Sequence, residues 1–520
     1  FRALAKRANL IPVRREILAD CDTPVSTFLR VGNRGPAFLM ESVEGGESVA
    51  RYSFLGSRPR VIVESRGNEV KRRYLRDGRT ETTESADPLS ALRDVLQDVV
   101  PANIEGLPPF HGGFVGYLAY DAVRRFERLP ESVEDSLGLP DAMFLLADSV
   151  LVFDRARNVI QVVVNASVPD ASLADQAYDA AEAQIEATVS EIRAPLPYRL
   201  GLPGGGSGGR PFPEPVSNTS RERYLEMVRQ AKDYVAAGDI IQVVPSQRFE
   251  TPLTVHPFDF YRALRVVNPS PYMYYLDFDG LVIAGASPEM MTRTEGGTIE
   301  TRPIAGTRPR GRTPEEDVAL AAELLADEKE RAEHVMLVDL ARNDIGRVAS
   351  YGRVQVEDFM SIERYSHVMH IVSRVRGELR PDTDAFDALR ATFPAGTLSG
   401  APKIRAMEII DELETERRGV YGGAVGYFSY SGASDTAIAI RTLVAKDGVG
   451  YFQAGGGVVA ESDPASEYDE SCRKADCGAR RPPHGPPRPR LAPHAEPLPT
   501  PHPRGAARRE RTQDDFRHRR

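Results

Sequence analysis

Apolar and polar positions follow two different periods along this chain, and each change of period marks where an element begins or ends. Up to about residue 200 the apolar residues fall in short runs, PAFLMESV, RVIVES, GGFVGYLAYD, SVLVFDR and NVIQVVVNA, which read as strands. Residues 154–158 predict a hairpin turn between the last two. Helical periodicity at about 87–99 and 171–192 predicts two amphipathic helices. The pattern stops at 201–218, GLPGGGSGGRPFPEPVSN, where Gly and Pro predict a linker. Its residues 205–209 spell G-x-S-x-G, but with neither a strand before nor a helix after they are no nucleophile elbow.

Beyond the linker, a helix at 221–237 closed by Gly238 leads into DIIQVVPSQRF, NPSPYMYYLDF and LVIAGASPEMMTR, all read as strands. Arg302, Arg308, Arg310 and Arg312 share a Gly/Pro-broken loop. Thr313, Pro314 and Glu316 then form a capping box that opens a helix with the apolar stripe Val318, Ala321, Ala322 and Leu325. A second helical run sets Glu330 and Glu333 one turn apart, in line with Leu337 and Ala341. Further helices are predicted around 363–372, carrying His367 and His370, around 383–392, and from the loop FPAGTLSGAPK to about 417. GGAVGYFSY, TAIAIRTLVA and GYFQAGGG complete the pattern as strands, and the mixture predicts an α+β fold.

Composition adds bounds. With 520 residues, 41% hydrophobic and 27% charged, the chain can bury a large core. No apolar run approaches the roughly 18 residues of a membrane span, so a cytoplasmic protein without a membrane partner is expected. Three cysteines, Cys21, Cys472 and Cys477, are too few for a disulfide framework and fit a reducing compartment. The net charge of −9 is unevenly shared: from Ser471 onward 13 Lys/Arg stand against 5 Asp/Glu, so that stretch carries +8 and residues 1–470 carry −17. A body so acidic is a poor nucleic-acid partner, and an anionic substrate would need local arginines or a metal.

The candidate chemistry is sparse. GTLSGAPK at 396–403 has the glycines, hydroxyls and lysine of a phosphate loop but fails the P-loop spacing, so a nucleotide site is not expected. Gly455, Gly456 and Gly457 follow a strand and either turn the chain or let backbone approach a ligand. Arg441 interrupts an apolar strand and either binds a carboxylate or faces solvent. Glu467 and Glu470 repeat the spacing of Glu330 and Glu333, with Lys474 one turn on. If the two pairs meet, each like-charged contact costs roughly 3 kcal/mol at about 5 Å and an effective dielectric near 20, which only a cation such as Mg²⁺ relieves; apart, they are solvated faces.

PIAGTRPRGR, EHVMLVDLARNDIGRV, SHVMHIVSRVRGEL, GTLSGAPKIRAMEIID, YGGAVGYFSY and QAGGGVVAESDPASEYDE together resemble the chorismate-utilising enzymes, most closely the large subunits of anthranilate synthases. The likeness runs from about 220 to 474 and more thinly before. It implies a two-sheet sandwich with outer helices and a central active-site cleft. It also implies Mg²⁺-dependent conversion of chorismate and ammonia to anthranilate and pyruvate, with feedback inhibition by tryptophan. Carried over by motif, Glu330, Glu333, Glu467 and Glu470 would surround Mg²⁺, and Tyr427, Arg441, Gly455, Gly456, Gly457 and Lys474 would hold substrate. Glu289 would be the general acid at the C4 hydroxyl, His370 would serve pyruvate elimination, and Thr397 would contact substrate.

Two positions separate the relatives. Gln242 replaces the water-activating lysine of isochorismate and salicylate synthases, and Ala305 replaces the nucleophilic lysine of aminodeoxychorismate synthases, so amine addition at C2 is the expected reaction and the aminodeoxychorismate one the alternative. With no glutamine-hydrolysing segment in the chain, a separate glutamine amidotransferase subunit is implied. Glu41, Ser42, Pro269, Tyr272 and Met273 match a tryptophan pocket. The division expected is a regulatory and structural region at 1–200, the linker at 201–218, a catalytic domain at 219–470, and a Pro/Arg-rich tail at 471–520 whose ten prolines oppose packing. That tail departs from the family pattern and is expected to be a frame-shifted end that stays disordered, leaving a catalytically impaired tryptophan sensor as a further alternative. The missing initial Met suggests a trimmed start.

Overall fold

The computed structural model describes the chain apart from residues 33–34, 44–50, 131, 197–212, 366–367 and 480–520 and the side chains of 476–479. Strand-forming runs from both sides of the Gly/Pro-rich break pair with one another in two large antiparallel sheets, and the described residues form one unit. The first sheet has eleven strands, in the order Leu10–Leu18, Val159–Ser167, Ser149–Asp154, Tyr52–Ser57, Ala37–Glu41, Tyr272–Asp277, Leu281–Ser287, Thr442–Lys446, Val449–Gly455, Ser246–Pro252 and Val216–Ser217. The second has twelve: Ile304–Pro309, Val368–Leu379, Thr298–Thr301, Met290–Glu295, Ser434–Ile438, Ala424–Ser429, Gly113–Leu118, Ala142–Ala147, Val61–Arg66, Glu69–Tyr74 and Thr80–Glu84, with Ala349–Arg364 paired beside Val368–Leu379.

The inner faces of the sheets meet in one apolar layer, with Phe38, Val152, Leu276 and Ile283 from the first against Val115, Tyr117, Leu145 and Val425 from the second. Helices cover the outer faces. Pro24–Val31, Ala174–Arg193 and Pro257–Val267 pack on the first sheet through Phe28, Ile185 and Tyr261, while Pro88–Leu96 and Ala385–Thr392 pack on the second through Leu92 and Phe386. The expected α+β sandwich with outer helices is therefore present. The 154–158 hairpin is also there, with Asp154 paired to Val159.

Several local expectations change. The helix expected at 363–372 is a strand hairpin: Met369, Ile371, Ser373 and Val375 are buried with a period of two, whereas the spacing of Val368, Ile371 and Val372 mimics one helical face in a short window. His370 thus lies on a strand opposite Thr307, and His367 lies outside the described residues. On the helix Pro314–Ala326 the apolar stripe is displaced, since Val318 is 63% exposed while Asp317, Ala321 and Leu324 face inward. Asp317 turns the helix because it accepts hydrogen bonds from Arg310, Arg364 and the Gly311 amide. Thr313 caps as expected, but Glu316 reaches the Arg312 amide instead of closing the box. The linker's last residues include a short strand, Val216–Ser217, and the final helix, Pro464–Ala479, continues past Ser471. TAIAIRTLVA is not one strand: Ser434–Ile438 belongs to the second sheet and Thr442–Lys446 to the first.

Candidate active site

Two of the chain's passages between the sheets lie at neighbouring places. Leu281–Ser287 leaves the first sheet and re-enters the second as Met290–Glu295; Ser434–Ile438 leaves the second and re-enters the first as Thr442–Lys446. Glu289 occupies one crossing and Arg441 the other, the latter with φ 51, in the left-handed region that a broken strand allows. The crossings are tied together: Ile438 N–H donates to Glu289 O at 3.0 Å, and Ala286 N–H to Arg441 O at 3.2 Å. A sheet-to-sheet crossing leaves a gap in the sandwich, and here it opens into a cavity of about 610 Å³.

Three further elements close that cavity. The helix Glu328–Gly346, capped by Asp327, presents Glu330 and Glu333, while Pro464–Ala479 presents Glu467, Glu470 and Lys474. The small pair Gln242–Val243 and Gly400–Ala401 brings Gln242 and the loop residue Thr397 to the wall. At the end of Val449–Gly455 the glycines permit close packing: a Cβ on Gly456 would stand 2.6 Å from Glu467 Oε2, and one on Gly457 2.4 Å from Gln242 Nε2.

The charges here are poorly compensated. Burial pushes the Glu289 carboxyl up to about 8, so it keeps its proton at neutral pH. Glu333 is raised by burial and by the charges of Glu330 and Glu470, although Gln242 Nε2 donates to its Oε1 at 3.3 Å. Glu467 is raised by burial and by Glu470. Glu330 meets Arg308 at 3.2 Å, and Lys474 Nζ meets Glu470 at 2.7 Å and Gly455 O at 3.0 Å. A set made only of carboxylate oxygens suits a hard divalent cation completed by water and substrate oxygens. The four border one cavity from two helices, but as placed no group of three or more His, Cys, Asp or Glu among the described residues is set to hold an ion.

With this geometry in view, the profile of the chorismate binding enzyme family matches residues 36–480. The chain belongs to the chorismate-binding enzymes. Component 1 of the anthranilate synthases of Acetivibrio thermocellus and Aquifex aeolicus is 50% and 49% identical to it, in each case over 91% of this chain and 95% of the relative. Among solved structures, anthranilate synthase component I of Streptococcus pneumoniae is 39% identical, covers 89% of this chain and 99% of its own, and superposes with a TM-score of 0.74. The menaquinone-specific isochorismate synthase of Escherichia coli, at 18% identity over 92% of this chain and 96% of its own and a TM-score of 0.65, shares the fold.

In this chorismate-binding enzyme most expected site residues meet: Gln242, Glu289, Glu330, Glu333, Thr397, Arg441, Gly455, Gly457, Glu467, Glu470 and Lys474 all border the cavity, and Gly456 abuts Glu467. His370 stands one layer behind, its Nδ1 at 3.0 Å from both Thr307 Oγ1 and Gly306 O, and burial lowers its pKa. Tyr427 does not join them. Its ring lies tilted against that of Phe110, 4.6 Å between centroids, and borders a second cavity of about 530 Å³, and the tyrosine at the main cavity is Tyr421. Strand alternation explains this, because Tyr427 shares the inner face with Val425. Glu41, Ser42, Tyr272 and Met273 border the second cavity, but Pro271 does so in place of Pro269. Sequence reading also missed Arg308, which holds Glu323 and Asp327 as well as Glu330; its place in the arginine-rich loop was the available signal. Lys403, the would-be phosphate lysine, is buried against Asp344 at 2.7 Å, so that loop indeed offers no free cation to a nucleotide.

Proposed function

We propose that this enzyme converts chorismate and ammonia to anthranilate and pyruvate, with Mg²⁺ held by Glu330, Glu333, Glu467 and Glu470. Ammonia would come from glutamine through a separate amidotransferase subunit, and tryptophan would inhibit from the second cavity, in the cytoplasm. The observation that carries this reading is Glu289: a carboxyl kept neutral by burial, on the same cavity as four carboxylates and Arg441. A protonated acid there donates to the C4 hydroxyl oxygen, which leaves as water while the C–N bond forms at C2. Arg441 and the Gly455–Gly457 backbone receive the enolpyruvyl carboxylate. Mg²⁺ held by the four glutamates would supply the positive charge that offsets them and would make the cavity receptive to a carboxylate. Gln242 is an amide and cannot deprotonate water, and Ala305 offers no amine nucleophile at the cavity wall, which supports amine addition at C2. His370, held through Nδ1 by Thr307 and Gly306 behind the cavity wall, would serve the elimination of pyruvate.

Incubation with chorismate, Mg²⁺ and ammonium salt tests the reading by product. Fluorescent anthranilate is the expected result. 4-Amino-4-deoxychorismate would replace the reading with its isomeric reaction, and tryptophan binding without turnover would make the chain a sensor.

A further inference from the structure

Beneath the cavity floor lies a buried ionic hub that the reaction as described leaves unused. Arg418 is 3% exposed and Glu414 8% exposed. Arg418 Nε donates to Glu414 Oε2 at 2.9 Å and its Nη2 to Oε1 at 2.6 Å, while Nη1 donates to Leu398 O at 2.7 Å and Nη2 to Val244 O at 2.6 Å. Both carbonyls belong to cavity-wall residues. Glu414 Oε1 also accepts from Ser246 N–H and Ser246 Oγ, each at 2.8 Å. Ser246 Oγ in turn accepts from Gln453 Nε2 at 2.8 Å.

The chain of donors decides how Gln453 points. A serine hydroxyl has one proton. That proton goes to Glu414, so toward Gln453 the Ser246 oxygen can only accept, which fixes the amide with its nitrogen toward Ser246. The other end of the amide, Oε1, is left buried without a hydrogen-bond partner. Gln453 borders both the main cavity and a small void of about 20 Å³ behind it, which Tyr421 also borders. A buried carbonyl oxygen without a partner carries a desolvation cost of about 1–3 kcal/mol, and a ligand N–H removes it.

We propose that Gln453 is the acceptor for the nitrogen nucleophile, its carbonyl held in place by the Arg418–Glu414–Ser246 series; this rests on the amine-adding reading above. Ammonia has three N–H bonds and one lone pair, so an acceptor on one N–H orients the lone pair without consuming it. An amide carbonyl suits this better than a carboxylate base, which would only add charge to a cavity already rich in carboxylates.

The test is steady-state kinetics of the full chain with ammonium chloride, chorismate and Mg²⁺, following anthranilate fluorescence, for wild type, Gln453→Met and Ser246→Ala. Gln453→Met keeps the length and removes the acceptor. The KM for ammonium should rise about threefold to tenfold, the worth of one lost hydrogen bond, while the KM for chorismate stays within about twofold. Ser246→Ala, which frees the amide to turn, should give the same split at smaller size, and it carries the test should Gln453→Met fail to fold. An unchanged ammonium KM, or equal rises in both KM values, overturns the assignment. Wild-type protein that makes no anthranilate overturns the functional reading itself, which separates the two failures.

Discussion

The two cavities are similar in size, about 610 and 530 Å³, but treat charge in opposite ways. Around the second, the principal charged groups are already answered by the protein. Glu41 accepts from Tyr261 at 2.7 Å and from Arg265 at 3.0 Å, Arg293 pairs with Asp435 at 2.6 Å, and Arg51 pairs with Asp154 at 2.8 Å. Aromatic and sulfur-bearing side chains, Tyr272, Met273, Tyr274 and Tyr427, fill the rest of its wall. Around the first, burial keeps Glu289 neutral, and burial with mutual repulsion leaves Glu333 and Glu467 short of compensation. A wall with paired charges selects a ligand by shape, whereas a wall with unanswered charges selects by chemistry and can perform it.

The strongest way to break this contrast is to remove the neutral acid. Glu289→Gln should lower anthranilate formation by about 10²–10⁴-fold, the usual contribution of a positioned general acid, while chorismate binding measured by fluorescence quenching persists. A loss of less than about threefold would take Glu289 out of the role. Next in size is Glu333→Gln, which should abolish Mg²⁺-dependent turnover. In thermal melts the wild type should gain stability on Mg²⁺ addition through binding to the folded state alone, and the variant should not; an equal gain would remove Glu333 from the metal set.

The second cavity offers the reverse test. Tyr272→Ala should weaken tryptophan inhibition about tenfold, the effect of losing roughly 1.4 kcal/mol of contact, with the uninhibited rate within about twofold. A fall in the rate with inhibition intact would show that the cavities are not separate in role. The mildest effect is of pH. Glu289 holds its proton in the folded enzyme up to about 8, against its ordinary value of 4.5. Activity should therefore fall as pH rises through about 8. Between those values the folded state binds more protons at this site than the unfolded one, so its contribution to stability declines with rising pH. Chemical denaturation of Glu289→Gln across that window should show a flatter decline than wild type.

What could be read in the sequence follows from how local its cause is. The i, i+3 glutamate pairs and the strand-forming runs are local patterns, and they reappear as helix faces and antiparallel strands. The helix start at Thr313 is also local, but its inward face depends in part on a distant group: Arg364, 47 residues on, joins the nearby Arg310 on Asp317, which faces inward while Val318 is exposed. The strand carrying His370 folds back as a hairpin on Ala349–Arg364, and its other edge pairs with Ile304–Pro309, about 60 residues upstream, a partner that no short window contains. Tyr427 and Arg441 show the same limit. Which cavity Tyr427 faces depends on strand parity, and Arg441 lies in a gap between sheets that reads as one continuous apolar strand until the partners of each half are known.

The paired crossings have a mechanical consequence. Because Glu289 and Arg441 ride on adjacent strands linked by two cross-backbone hydrogen bonds, they sit on a single knuckle of the sandwich. Any movement of the helices bearing the carboxylates relative to that knuckle would leave proton donor and guanidinium travelling as one piece. Such a machine keeps its ruler fixed while its jaws move, so loosening the jaws should alter how often a productive complex forms more than how fast it reacts once formed.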